Sequence, residues 1–125
     1  MKLSRPTAVA GTFYPSEPEE LSAMIMRFLE EANSQIPNGS QVPKAIIVPH
    51  AGYIYSGANA ALAFARLKPA AKNINRVILL GPSHRAYLEG VALSSANTFA
   101  TPLGEIPIDH NGICLLYTSP SPRDS

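Results

Sequence analysis

Two short apolar runs constrain this chain most. Residues 44–48 (Lys-Ala-Ile-Ile-Val) and 76–80 (Arg-Val-Ile-Leu-Leu) are continuous rather than alternating. Such a run fits a strand covered on both faces by other layers. Between them lies a helical pattern through Ala58, Ala61, Leu62, Ala65 and Arg66, with Ser56 as its expected cap and Pro69 as its expected stop. Strand, helix and strand within about forty residues predict a parallel, right-handed βαβ unit.

The flanking segments add to that unit. Residues 1–15 read as a loop holding Ala10-Gly11-Thr12-Phe13-Tyr14-Pro15. Ser16 and Glu19 fit a capping box, with Pro18 in the first turn. Leu21, Met24, Ile25, Phe28, Leu29 and Ala32 follow at helical spacing and give one apolar face. Residues 36–40 (Ile-Pro-Asn-Gly-Ser) end that helix. Further on, residues 91–94 predict a short strand, Thr101-Pro102-Leu103-Gly104 a turn, and residues 105–109 an edge strand. Residues 1–112 are expected to be the N-terminal part of one α/β domain. Residues 113–125, with their Ser-Pro steps and no packing period, are expected to be a non-native or disordered tail.

Each apolar run stops at a turn that carries a histidine. The first ends at Pro49-His50-Ala51-Gly52, the second at Gly81-Pro82-Ser83-His84. Ligands of open parallel sheets bind outside the carboxyl ends of the strands. If the two strands are neighbours, about 4.8 Å apart, both imidazoles emerge on one rim, as half of a metal site or as an acid/base pair. Pro49 and Pro82 stiffen the approach, and Gly52 and Gly81 are expected to supply backbone that other residues resist. A lone strand-end histidine is more often a capped or surface residue; a matched pair is what raises the functional reading. His110 lacks such a setting and is assigned to the surface. Ser83 beside His84 is not a nucleophile pair, because adjacent residues rarely form that catalytic hydrogen bond and no orienting acid is evident.

Composition excludes several classes. Ten Lys and Arg stand against nine Asp and Glu, a formal net charge of +1, so no basic patch argues for nucleic acid or an anionic membrane. No apolar stretch approaches the roughly 18 to 20 residues of a membrane span. The first residues do not read as a signal peptide, and a cytoplasmic location is expected. The single cysteine, Cys114, permits neither an intrachain disulfide nor a Cys-x-x-Cys knuckle.

Four motifs in order resemble the Memo family (mediator of cell motility), whose prokaryotic members are called AmmeMemoRadiSam system protein B. They are the segment 10–15, Pro49-His50-Ala51-Gly52-Tyr53, Gly81-Pro82-Ser83-His84 and the turn 101–104, and the resemblance spans residues 5–112. It implies a truncated three-layer α/β fold with a mainly parallel sheet and flanking helices, similar to the class III extradiol dioxygenases. It also implies that His50 and His84 are metal ligands, with iron first and copper or zinc as the other divalent metals. The family's third ligand is typically a cysteine far downstream; Cys114 comes too early to take that role. By motif match Phe13 and Tyr55 are candidate aromatic residues of a substrate or partner pocket, with Ser83 beside them. The implied function is a non-haem-iron or copper-dependent oxidoreductase in the full-length protein, the 125-residue chain itself being inactive. The alternative is a non-catalytic metal-binding or partner-binding module, associated with AMMECR1-like and radical SAM proteins.

Overall fold

The helix α1 (Pro18–Ser34) begins where Pro18 fixes φ and gives up an N–H that a first turn does not need. A computed structural model describes residues 2–113 of the chain. In it the N-cap of α1 is Glu17, without a side-chain capping bond. The expected capping box from Ser16 to Glu19 is therefore not formed. Starting the helix at Pro18 puts Glu19 one position too early for it. The apolar face is as the spacing predicts: Leu21 and Ala32 are buried, and Met24, Ile25, Phe28 and Leu29 are half-buried.

The chain divides into two units, a helical one (Thr7–Asn75) and a sheet one (Met1–Pro6 with Arg76–Ser125). In the helical unit, α1 packs on α2 (Tyr53–Phe64). Buried Ala32, Ala61 and Ala65 form the centre, with Phe28, Leu29 and Ile36 around them. Small residues at the crossing let the two backbones approach. A Cβ on Gly57 would come within 2.7 Å of the Phe28 ring, closer than nonbonded carbons tolerate. Beyond α2 the chain tightens into a 3₁₀ helix, Ala65–Asn73, that carries Pro69 inside it. The expected stop before Pro69 thus becomes a change of helix type at Ala65. Arg66 Nη2 donates to the Gln41 carbonyl at 3.0 Å and ties the returning loop to this helix.

The sheet unit holds a three-stranded mixed sheet in the order β1 (Ser4–Arg5), β2 (Thr98–Thr101), β3 (Gly104–Pro107). β1 runs parallel to β2, Ser4 opposite Thr98, and β2 runs antiparallel to β3, Thr101 opposite Gly104. The turn at 101–104 is as expected, and the edge strand falls at Gly104–Pro107. Thr101 Oγ1 closes the turn by donating to the Gly104 carbonyl at 2.8 Å and accepting from Leu103 N at 3.1 Å. Asn97 is the junction. Its amide donates to the Leu3 carbonyl, its Oδ1 accepts from Leu3 N, and its carbonyl accepts from Ile108 N.

Three expected strands differ. Residues 44–48 and 76–80 take no place in a ladder among the described residues, and neither do residues 91–94. Ile47 is 99 % exposed and Leu79 81 %. A doubly covered strand needs neighbours on both edges and layers on both faces, and the described residues supply neither. The strand expected at 91–94 forms instead at Thr98–Thr101, where the hairpin turn and the N-terminal strand fix the pairing. The architecture is α/β with helices and a small mixed sheet; the expected mainly parallel sheet is not formed by the described residues. No described helix is long and apolar enough to cross a membrane. Residues 114–125, on which the expected tail and Cys114 fall, lie outside the described residues.

Candidate functional site

The motif at 10–15 is a closed turn. Thr12 N and Phe13 N both donate to the Val9 carbonyl, at 3.1 and 2.9 Å, and Thr12 Oγ1 adds a third bond at 2.8 Å. Gly11 N donates to the Tyr14 carbonyl at 2.7 Å. Gly11 sits at φ +85°, a left-handed backbone that side-chain-bearing residues resist. The turn has little freedom left, and its Phe13 carbonyl accepts from Tyr53 N at 2.8 Å.

That bond explains where α2 starts. The opening amides of a helix lack acceptors within it, and here an outside carbonyl serves Tyr53. The N-cap is Gly52 rather than the expected Ser56. Ser56 lies in the first turn, buried, and its Oγ donates back to the Ala51 and Gly52 carbonyls at 2.9 and 3.2 Å. The Tyr14 and Tyr53 rings stack at a 45° tilt with centroids 5.5 Å apart. Burial first, and then the neighbouring Tyr14, push the Tyr53 phenol above its ordinary pKa, so the Tyr53 ring is neutral over the physiological range. Two motifs separated by some forty residues in sequence are thereby one physical object, a braced turn locked onto the start of a helix.

His50 is exposed, two residues before the N-cap of α2. Phe13 and Tyr55 stand nearby with 44 % and 84 % of their surface exposed. Both touch the space beside Gly52: a Cβ there would lie 3.6 Å from the Phe13 carbonyl oxygen, 3.7 Å from Phe13 Cα and 3.8 Å from Tyr55 Cδ2. The structure thus brings two candidate pocket residues together around the residue that follows His50-Ala51. The expectation that Gly52 and Gly81 carry special backbone is corrected. Gly52 has φ −57° and ψ 151°, open to any residue, and Gly81 is not among the glycines of positive φ.

His84 and Ser83 belong to the sheet unit, and both are exposed. Ser83 Oγ donates to the Ala86 carbonyl at 2.7 Å and closes a local bend. The histidines thus fall in separate units, and the parallel ladder expected to seat them side by side is not formed among the described residues. No group of three or more His, Cys, Asp or Glu side chains able to hold a metal occurs among the described residues.

His110 has more structure around it than its assignment to the surface predicts. It is half-buried, and its Nε2 lies 2.8 Å from the carbonyl of buried Ala96. A carbonyl only accepts, so Nε2 carries the proton in this bond. Sequence reading also missed Tyr14 as the ring partner of Tyr53; no periodicity marks a turn residue that pairs with a helix so far along the chain.

Residues 5–120 match the family described as Memo-like protein. The chain is 36 % identical over 107 residues to the memo-1 homolog of Caenorhabditis elegans, covering 86 % of this chain and 29 % of the relative. It is 40 % identical over 105 residues to a MEMO1 family protein of Aquifex aeolicus, covering 84 % and 36 %. Against human MEMO1 it is 37 % identical over 105 residues, covering 84 % and 33 %. The chain therefore spans about a third of the length of these relatives. With its residues matched nearly end to end, it belongs to the Memo family.

Proposed function

We propose that His50 and His84 are two protein ligands of a divalent-metal centre that is complete only in the longer family chain. The observation that carries this reading is the setting of His50. His50 is exposed on the loop that leads into α2, whose start is held by the turn 9–14, and the candidate residues Phe13 and Tyr55 are exposed as well. An imidazole carried at the surface on a braced loop is what a metal ligand needs and what a packing histidine does not. Imidazole donors suit iron, copper and zinc alike. Iron comes first here because the family resemblance implies a fold like that of the extradiol dioxygenases. The two imidazoles are a partial donor set, so no reaction step is derived from them. In the longer chain the centre would serve a non-haem-iron or copper-dependent oxidoreductase, and the 125-residue chain by itself does not turn over. We place the protein in the cytoplasm.

A second reading is favoured by the incomplete donor set among the described residues. In it the protein is a metal-binding or partner-binding module without turnover, working beside AMMECR1-like and radical SAM proteins.

Metal retention tests the shared premise. The chain is loaded anaerobically with Fe(II), or with Zn(II), desalted and assayed for metal. Retained metal should fall at least several-fold in His50→Ala and in His84→Ala. Retention unchanged by both substitutions overturns the metal reading. Oxygen uptake by the full-length Aquifex relative, against its own variants at the matching histidines, then separates enzyme from module.

A further inference from the structure

We propose that Ser56 is a positioning residue for His50: its buried hydroxyl pins the Ala51 carbonyl and so fixes the backbone that presents the imidazole. The proposal rests on reading His50 as a functional residue, and its first readout needs no metal.

The hydroxyl serves the loop rather than the helix. Ser56 lies in the first turn of α2, 5 % exposed, and its Oγ donates to the Ala51 carbonyl at 2.9 Å and the Gly52 carbonyl at 3.2 Å. A helical serine commonly bonds back to a carbonyl three or four residues earlier, within its own helix. Ser34 of α1 does so, with Oγ on the Glu31 carbonyl at 2.7 Å. Ser56 reaches one residue further, past the N-cap Gly52 and into the loop. Its single proton makes the shorter bond to Ala51, and the Gly52 carbonyl is already met by Tyr55 N at 2.9 Å and Ser56 N at 3.0 Å. Alanine is the stronger helix former and takes up less room than serine. Neither helix formation nor space therefore asks for a hydroxyl at 56. What the hydroxyl supplies is the bond to Ala51.

That bond acts on His50 through the planarity of the peptide. Each peptide is a rigid plane, joined to the next by the φ and ψ of the residue between them. Ser56 holds the plane of the Ala51–Gly52 peptide, and the Phe13 carbonyl holds the next one through Tyr53 N at 2.8 Å. Between the plane held by Ser56 and the Cα of His50 stand the torsions of Ala51 alone. Without the hydroxyl the reference moves to the Gly52–Tyr53 plane, and the torsions of Gly52 are added, those of the residue type with the widest backbone freedom. On the other side of His50, Pro49 fixes its own φ. A ligand side chain has to be held within about 0.5 Å of its working geometry by the groups behind it. Ser56 is placed to do that from inside the fold.

The test uses the metal-free 125-residue chain and backbone amide relaxation. Ser56→Ala should drop the order parameters of His50 and Ala51 from about 0.85 to below about 0.6, the change from rigid to flexible backbone, while melting like the parent. Ser56→Thr keeps the hydroxyl and should keep both residues rigid. Ser34→Ala removes a helical bond of the ordinary kind from α1 and should leave His50 and Ala51 unchanged. Retention of Zn(II) after desalting is the second readout. It should fall about tenfold in Ser56→Ala, as on loss of a group that orients a metal ligand, and recover in Ser56→Thr. Unchanged order parameters in Ser56→Ala overturn the proposal. An equal drop in Ser34→Ala marks general softening and also overturns it, as does mobility in Ser56→Thr equal to that in Ser56→Ala. Unfolding of Ser56→Ala makes the hydroxyl a requirement of the fold and overturns it too. If the order parameters fall as expected but the parent retains no zinc, the metal reading fails and the positioning of His50 stands.

Discussion

In the helical unit, α1 buries Leu21 and Ala32, and Ala32 joins Ala61 and Ala65 in a centre surrounded by Phe28, Leu29 and Ile36. In the sheet unit, Val77, Ile78, Leu79 and Leu80 stand in solvent while a small sheet forms elsewhere. The helical unit takes its contacts from one continuous stretch of chain. A parallel-type strand must find edges and faces from distant sequence before its burial is rewarded. The helix faces are therefore satisfied within their own unit, whereas the strand-type runs are left open, Ile47 in the helical unit as well as Val77, Ile78, Leu79 and Leu80 in the sheet unit.

The largest effect should come from attacking the closed core. Ala61→Asp places an unpaired carboxylate among Ala32, Ala65 and Phe28 and should cost about 3–5 kcal/mol. Urea unfolding followed by circular dichroism reads it. A loss below about 1 kcal/mol would mean that α1 and α2 do not share a sealed interior. A smaller effect of opposite sign is expected in the sheet. Thr98 is 4 % exposed, and its Oγ1 has no hydrogen-bond partner among the described residues. Replacing a buried unsatisfied hydroxyl by a methyl removes its desolvation cost, so Thr98→Val should stabilise by about 1 kcal/mol. Destabilisation in the same unfolding assay would show that the hydroxyl is in use. The smallest effect belongs to the open run. Leu79→Lys should change stability by no more than about 0.5 kcal/mol, while raising the concentration at which the chain stays monodisperse in light scattering, because it breaks an exposed apolar edge. A loss of about 2 kcal/mol or more, typical of core leucines, would break the contrast between the two regions.

The parts legible in the sequence are those decided locally. The face of α1 follows from Leu21, Met24, Ile25, Phe28, Leu29 and Ala32 at helical spacing, and the hairpin follows from Thr101-Pro102-Leu103-Gly104. Helix starts were misread where something other than the expected capping side chain sets them. Pro18 overrides Ser16, and the Phe13 carbonyl takes the place that Ser56 was expected to fill. The runs at 44–48 and 76–80 carry a strand's composition, but composition supplies no ladder partner. The candidate site was legible as motifs, His50 with its flanking proline and glycine and Phe13 in the turn before it. The lock between those motifs was not, because it runs through a backbone carbonyl, which every residue has.

The pairing of Ser4 with Thr98 has a consequence for synthesis on the ribosome. β1 must wait for nearly a hundred more residues before its partner exists. Residues 7–75 leave the exit tunnel in the interval and hold everything their own core requires. The helical unit is thus synthesised in full before β1 can pair, and β1 stays available to chaperones until β2 appears.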